Sequence, residues 1–127
     1  MEARPQSLSE VADRVSRGGS FSMELADFLD EFREQPGEGA FVEEPSLLGL
    51  NAPERRWIDA YLAAVAEHLC GRHGLRHPSW LKGAARFLDD PSFACRSRAG
   101  RLFLLKDSPA AFKSRNLFVS ANALERV

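Results

Sequence analysis

Residues 52–72 carry the longest helical pattern in this chain. Large apolar side chains recur along one face at the spacing of an α-helix, and small alanines fill the flanking faces. The large ones are Trp57, Ile58, Tyr61, Leu62, Val65 and Leu69. Asn51 offers an N-cap with Pro53 in the first turn, and Gly71 and Gly74 end the pattern. A helix this apolar needs neighbours on several sides, so we predict a helical core around it.

A helical hairpin over residues 8–34 is predicted to pack on this central helix. Ser7 and Ser20 are suitable N-caps, and Gly18-Gly19 separates the two helices. The second helix combines an apolar stripe of phenylalanines and leucines with an acidic opposite face. Residues 35–51 mix prolines and glycines with large apolar side chains, which indicates an ordered connection and not a free linker.

After Pro78, the sequence predicts a series of short helices. The apolar run 100–106 is the one plausible strand, but its leucines favour a helix. Asp90-Pro91 is expected to open a helical turn around Phe93, Ser108-Pro109 to begin a short helix, and Ser120 to cap a last helix running to the C-terminus. A chain of 127 residues is long enough for one core. We therefore predict an all-α fold, with residues 1–127 forming a single helical domain.

Charge is distributed very unevenly along the chain. Residues 1–67 contain 14 acidic and 6 basic side chains, a net charge of −8, whereas residues 68–127 have a net charge of +7. The two halves either fold against each other, or the basic half faces an acidic partner, which is a protein or a nucleic acid. Contacts to nucleic acid would then come from Arg96, Arg98, Arg101, Lys106 and Lys113. The acidic second hairpin helix argues against a helix-turn-helix reader, since it would repel phosphates.

No catalytic signature is present, so we predict that the protein is not an enzyme. The chain has neither a Gly-x-Ser-x-Gly elbow nor a glycine loop followed by Lys-Ser/Thr. The carboxylate pairs Glu43-Glu44 and Asp89-Asp90 are adjacent in sequence and do not face each other. Cys95 precedes two arginines, which leaves a reactive thiol as an alternative.

The spacing of Cys70, His73 and His77 resembles that of a metal site. Helix-breaking glycines and Pro78 separate the three side chains, and a fourth ligand is missing nearby. We therefore predict neither a metal nor another cofactor, although the sequence leaves the metal alternative open.

Several phrases of the sequence resemble small helical proteins of actinobacterial type that look like the antitoxin-side neighbours of predicted nucleotidyltransferase toxins. The phrases are DFLDEF at 27–32, DAYLAAVAEHL at 59–69, GL at 74–75, PSW at 78–80, RFLD at 86–89 and DSPAAFKSRNLFVS at 107–120. The resemblance implies a protein that binds and restrains a partner protein. The partner that it implies is a nucleotidyltransferase-type toxin. It assigns partner contacts to Pro109, Phe112, Arg115 and Asn116.

Two further expectations complete this interpretation. Trp80 joins the partner-binding set because Trp and Arg are favoured at binding hot spots, although filling the core would explain the same aromatic residues. The N-terminus has no apolar stretch of signal-peptide length, and no segment approaches the ~18 apolar residues of a membrane span. We therefore expect a cytoplasmic protein with no membrane partner. The alternative function is a nucleic-acid-associated transcriptional regulator that uses the basic C-terminal half.

Overall fold

The computed structural model describes residues 3–124 and confirms the predicted all-α fold. Its α-helices are α1 (Leu8–Ser16), α2 (Phe21–Glu34), α3 (Arg56–His73), α4 (Arg98–Asp107) and α5 (Ala110–Lys113). Two short strands, β1 (Ser92–Phe93) and β2 (Leu117–Phe118), pair in parallel. Short 3-10 turns at Glu38–Ala40, Pro53–Arg55, Ser79–Lys82, Ala84–Arg86 and Ala121–Leu124 connect them.

The helical hairpin forms as the capping residues predict. The Ser7 hydroxyl accepts a hydrogen bond from the Glu10 amide at 3.1 Å, and the Ser20 hydroxyl accepts one from the Met23 amide at 3.4 Å. Gly18 has a φ of 105°, a conformation that L side chains avoid, so a glycine suits this position in the turn. The hairpin buries its apolar stripe in the common core.

Helix α3 is buried on most of its circumference, which explains its four alanines. Ala60, Ala63, Ala64 and Ala66 are completely buried and let neighbouring segments approach the helix closely. The predicted start of this helix was wrong. Asn51 does not cap it, because the chain first makes the 3-10 turn at Pro53–Arg55 and α3 begins at Arg56.

A buried carboxylate fixes the connection to the first turn of α3. Asp59 accepts hydrogen bonds from the amides of Leu48 at 2.7 Å and Gly49 at 2.9 Å. A β-carbon at residue 49 would lie only 2.6 Å from Cγ of Arg56, so glycine permits this close approach. These contacts agree with the expectation of an ordered connection over 35–51.

The strands correct the prediction of a helical turn around Phe93. The Ser92 amide donates to the Asn116 carbonyl at 2.8 Å, and the Phe93 and Phe118 rings stack with centroids 4.7 Å apart. This pairing joins segments that are distant in the sequence, so local residue preferences do not reveal it.

The capping role predicted for Ser108 was also wrong, whereas the helix preferred over 100–106 is confirmed as part of α4. The Ser108 hydroxyl donates to the Leu104 carbonyl at 2.7 Å and so closes the end of α4. Asn116 has a φ of 63°, as expected of a left-handed position. The predicted last helix appears as the 3-10 turn Ala121–Leu124, and its remainder lies outside the described residues.

Candidate interaction surface

Three of the five residues predicted to bind a partner belong to the core. Trp80 is 8% exposed, Arg115 is 1% exposed and Phe112 is completely buried. None of these side chains can reach a partner in this conformation, which corrects their assignment as contact residues. Pro109 and Asn116 are half-buried, and the Asn116 side-chain amide donates to the Leu88 carbonyl at 2.8 Å.

Arg115 connects three segments of the core. Its guanidinium donates to the Glu67 carboxylate at 2.8 Å and to the carbonyls of Ala111 at 2.9 Å and Leu81 at 3.0 Å. It also lies over the Phe87 ring, 4.6 Å from the centroid. The residue therefore joins α3, the turn at Ser79–Lys82 and α5, which is a structural role.

A second buried arginine performs the same task at the connection. Arg86 is 1% exposed and donates to the Glu44 carboxylate at 3.1 Å and to the main-chain carbonyls of Pro45 and Asp59. Its guanidinium lies over the Trp80 ring, and the Trp80 indole donates to the Phe41 carbonyl at 2.8 Å. Trp80 and Arg86 thus hold the connection against α3.

Helix α4 presents large apolar side chains to solvent. Leu102 is 55% exposed, Phe103 is 58% exposed and Leu105 is 44% exposed, whereas Leu104 is buried. Elsewhere in the described chain the exposed large apolar residues are Met23, Val42, Leu50 and Trp57, which lie in separate segments. The helix therefore concentrates exposed apolar surface in one place, as interaction sites do.

Basic side chains surround these apolar residues. The five cations assigned to the nucleic-acid alternative, Arg96, Arg98, Arg101, Lys106 and Lys113, are all exposed. None of them forms a salt bridge within residues 3–124. The sequence has no acidic residue between Asp90 and Asp107. We call the exposed residues of this helix, Arg98, Arg101, Leu102, Phe103, Leu105 and Lys106, the α4 face.

Few contacts hold α4 on the rest of the protein, and they involve its ends. Ser97 caps the N-terminus by accepting from the Gly100 amide at 3.0 Å. The Asp107 carboxylate accepts from the Ala121 amide at 2.8 Å, and the Arg101 guanidinium lies 5.5 Å from the centroid of the Phe93 ring. Together with buried Leu104, these contacts fix the helix, and Arg101 is the one residue of the α4 face that takes part in them.

The histidines and thiols do not assemble into a metal site in the described part of the chain. Between residues 3 and 124, no three His, Cys, Asp or Glu side chains come together in a way that could hold an ion. His73 packs edge-on against Phe32, and the Cys70 thiol donates to the Arg76 carbonyl. Burial, with a smaller effect of the Glu38 carboxylate, raises the pKa of Cys70 to about 11. The hydrogen bond to Ser97 lowers the pKa of Cys95.

The comparisons with known proteins return no relatives. No protein-family model, curated protein or solved structure matches the chain. Separately, none of the helices among residues 3–124 has both the length and the apolar character needed to span a membrane.

A run of four apolar residues in α4 is the sequence signal that predicts exposed leucines. Four consecutive apolar residues, Leu102 to Leu105, point in four directions about 100° apart on a helix. A helix at the edge of a domain buries only one side, so part of such a run must stay exposed. Of this run, only Leu104 is buried.

Proposed function

We propose that this protein is a non-enzymatic, antitoxin-like interaction protein that binds and restrains a partner protein through the α4 face. The single observation that carries the proposal is the exposure of Leu102, Phe103 and Leu105 on one helix. Covering apolar surface is the main favourable contribution to protein association. The proposed partner contacts are therefore the exposed residues of α4, and not the buried residues around Phe112.

The apolar character of the surface is consistent with a protein partner. Exposed apolar patches of a few hundred Å² are often functional in monomeric proteins. At about 25 cal/mol per Å², covering such a patch contributes on the order of 5 kcal/mol or more before the costs of association. The α4 face can therefore supply the apolar centre of an interface whose rim comes from neighbouring residues.

The nature and place of the partner follow from the resemblance noted in the sequence. It suggests a nucleotidyltransferase-type toxin as the partner, in the cytoplasm, and a protein that acts by occupying that toxin. The excess of basic residues around α4 adds that the bound surface of the partner is acidic.

Co-expression with the product of the neighbouring gene tests this function. We expect a stoichiometric complex in size-exclusion chromatography and relief of any growth arrest that the neighbouring product causes alone. The double variant Leu102→Ser/Leu105→Ser should weaken the complex at least about tenfold, since it removes buried apolar area. Leu50→Ser is the matched control, because Leu50 is 73% exposed and lies outside α4. A complex that forms equally well with the double variant argues against the proposal.

The five exposed cations around α4, which form no salt bridge among residues 3–124, favour a nucleic-acid-associated regulator as the second candidate. If that function is correct, a mixed-sequence DNA duplex should bind, and the affinity should fall steeply between 50 and 200 mM salt. Replacing Arg96, Arg98 and Arg101 by glutamine should then abolish binding, while Leu102→Ser/Leu105→Ser should leave it unchanged. The leucine variant thus separates the two functions.

A further inference from the structure

The exposed residues of α4 are ordered around the helix axis. Leu102 and Leu105 lie about 60° apart and form an apolar stripe, and Arg101 and Lys106 lie about 40° beyond this stripe on opposite sides. Arg98 lies one turn before Leu102 and marks the N-terminal end of the stripe. The helix therefore presents a narrow apolar ridge with a cation on each flank.

Resting on the proposed function, we infer that the partner receives α4 in an apolar groove whose two rims carry carboxylates. The leucine ridge fills the floor of the groove, and Arg101 and Lys106 meet the opposite rims. Helices that bind in grooves use anchors at this i, i+3 spacing. The one acidic residue of α4 is Asp107 at its C-terminal end, which accepts from the Ala121 amide, so no carboxylate lies beside the leucines to repel such rims.

Flat or phosphate-rich surfaces fit this ridge less well. A helix that lies on a bilayer has a broad, continuous apolar face, whereas here Lys106 separates Phe103 from the two leucines around the axis. Against nucleic acid, the leucines would occupy the middle of the basic surface, where phosphates need cations. A groove with walls can cover the leucine ridge with its floor and Phe103 with one of its walls.

A second copy of this chain is also a poorer occupant. Two α4 faces placed together would bring cations against cations. Several carboxylates of the acidic half already have partners, since Arg4 binds Glu31 and Glu34, and Arg14 binds Glu24. We therefore place the complement of the α4 cations, which form no salt bridge among residues 3–124, on another protein.

Calcium-loaded calmodulin is a suitable probe, because it is an acidic protein that opens an apolar groove only when calcium is bound. We expect the full chain to bind it in isothermal titration calorimetry, and to lose binding when calcium is chelated. Leu102→Ser/Leu105→Ser should weaken binding at least about tenfold. Arg101→Gln/Lys106→Gln should weaken it about threefold or more, with the loss greatest at low salt. Leu50→Ser should bind like the unaltered protein.

Any one of three outcomes overturns the inference. The first is no calcium-dependent binding, or binding that the leucine variant retains. The second is tighter binding to phosphatidylglycerol vesicles, or to a DNA duplex, than to the groove probe. The third is self-association in sedimentation velocity that the leucine variant abolishes. Circular dichroism of each variant checks that the fold is retained, as expected for substitutions of exposed residues.

The same variants separate this inference from the proposed function. If the groove probe binds as expected but the neighbouring-gene product does not, the chemistry of the α4 face stands and the antitoxin-like function fails. If the neighbouring-gene product needs the leucines but binds equally well when the flanking cations are replaced, the function stands and the groove inference fails.

Discussion

Two buried arginines show how single residues connect distant segments of this protein. Arg86 and Arg115 are each 1% exposed, each lies over an aromatic ring, and each donates to main-chain carbonyls. Arginine suits these positions because its planar guanidinium donates several hydrogen bonds while stacking on a ring. In both cases Nε has no hydrogen-bond partner in the described structure, a cost that the other contacts offset.

Replacement of Arg115 by Met should destabilise the protein by about 2–4 kcal/mol, because the buried carbonyls of Leu81 and Ala111 lose their donor. Glu67→Gln should cost only about 1 kcal/mol, since this side chain is 38% exposed and the glutamine carbonyl oxygen can still accept from Arg115. Urea unfolding of both variants provides the comparison. Equal losses would mean that the ion pair, and not the carbonyl contacts, gives Arg115 its importance.

The two thiols should differ in reactivity and in their effect on stability. Since the pKa of Cys70 is raised from 9.0 to about 11, its contribution to stability is complete below pH 9 and is lost as the pH rises through 11. The free energy of unfolding should therefore fall between pH 9 and 11, and Cys70→Ala should reduce this fall.

Cys95, with its lowered pKa, should react with iodoacetamide before Cys70 does. Faster modification of Cys70 in the folded protein would contradict its burial.

At the scale of elements, α4 differs from the other long helices because it contributes so little to the core. Helices α1, α2 and α3 each bury a full stripe of side chains, whereas α4 buries Leu104 alone. The caps at Ser97 and Ser108 therefore position a helix whose remaining side chains are available for contacts outside the chain.

Alanine substitutions along α4 should reflect this division. Leu104→Ala should lower the free energy of unfolding by about 2–3 kcal/mol, as expected when a buried leucine is truncated. Leu102→Ala and Leu105→Ala should each change it by less than about 0.5 kcal/mol, because both side chains are exposed. Thermal or urea unfolding would reveal the difference, and large losses at the exposed positions would place α4 inside the core.

At the scale of the whole molecule, the sequence predicted helices better than their surroundings. Caps and periodicity gave the hairpin, and leucine preference gave α4, because these signals are local. The pairing of Ser92 with Leu117 and the burial of Arg115 depend on contacts between distant segments, which one sequence does not display. For the same reason, the sequence does not show which aromatic residues of the C-terminal half lie in the core and which lie on the surface.

The uneven charge of the chain has a physical explanation at this scale. The ion pairs of α2 involve Arg4 and Arg14 from its own half of the chain, and five exposed cations around α4 form no salt bridge among residues 3–124. The two halves neutralise each other in part through Arg86 with Glu44 and Arg115 with Glu67, but not through the cations around α4. The basic surface at α4 remains available to an acidic partner.

Hydrogen–deuterium exchange of the complex with the neighbouring-gene product measures the central claim most directly, because it locates the bound surface on the intact protein. Our account predicts that binding slows exchange of the α4 amides at Arg98–Asp107, while α1 and α2 exchange as in the free protein. Slower exchange confined to α2, with α4 unchanged, would contradict it.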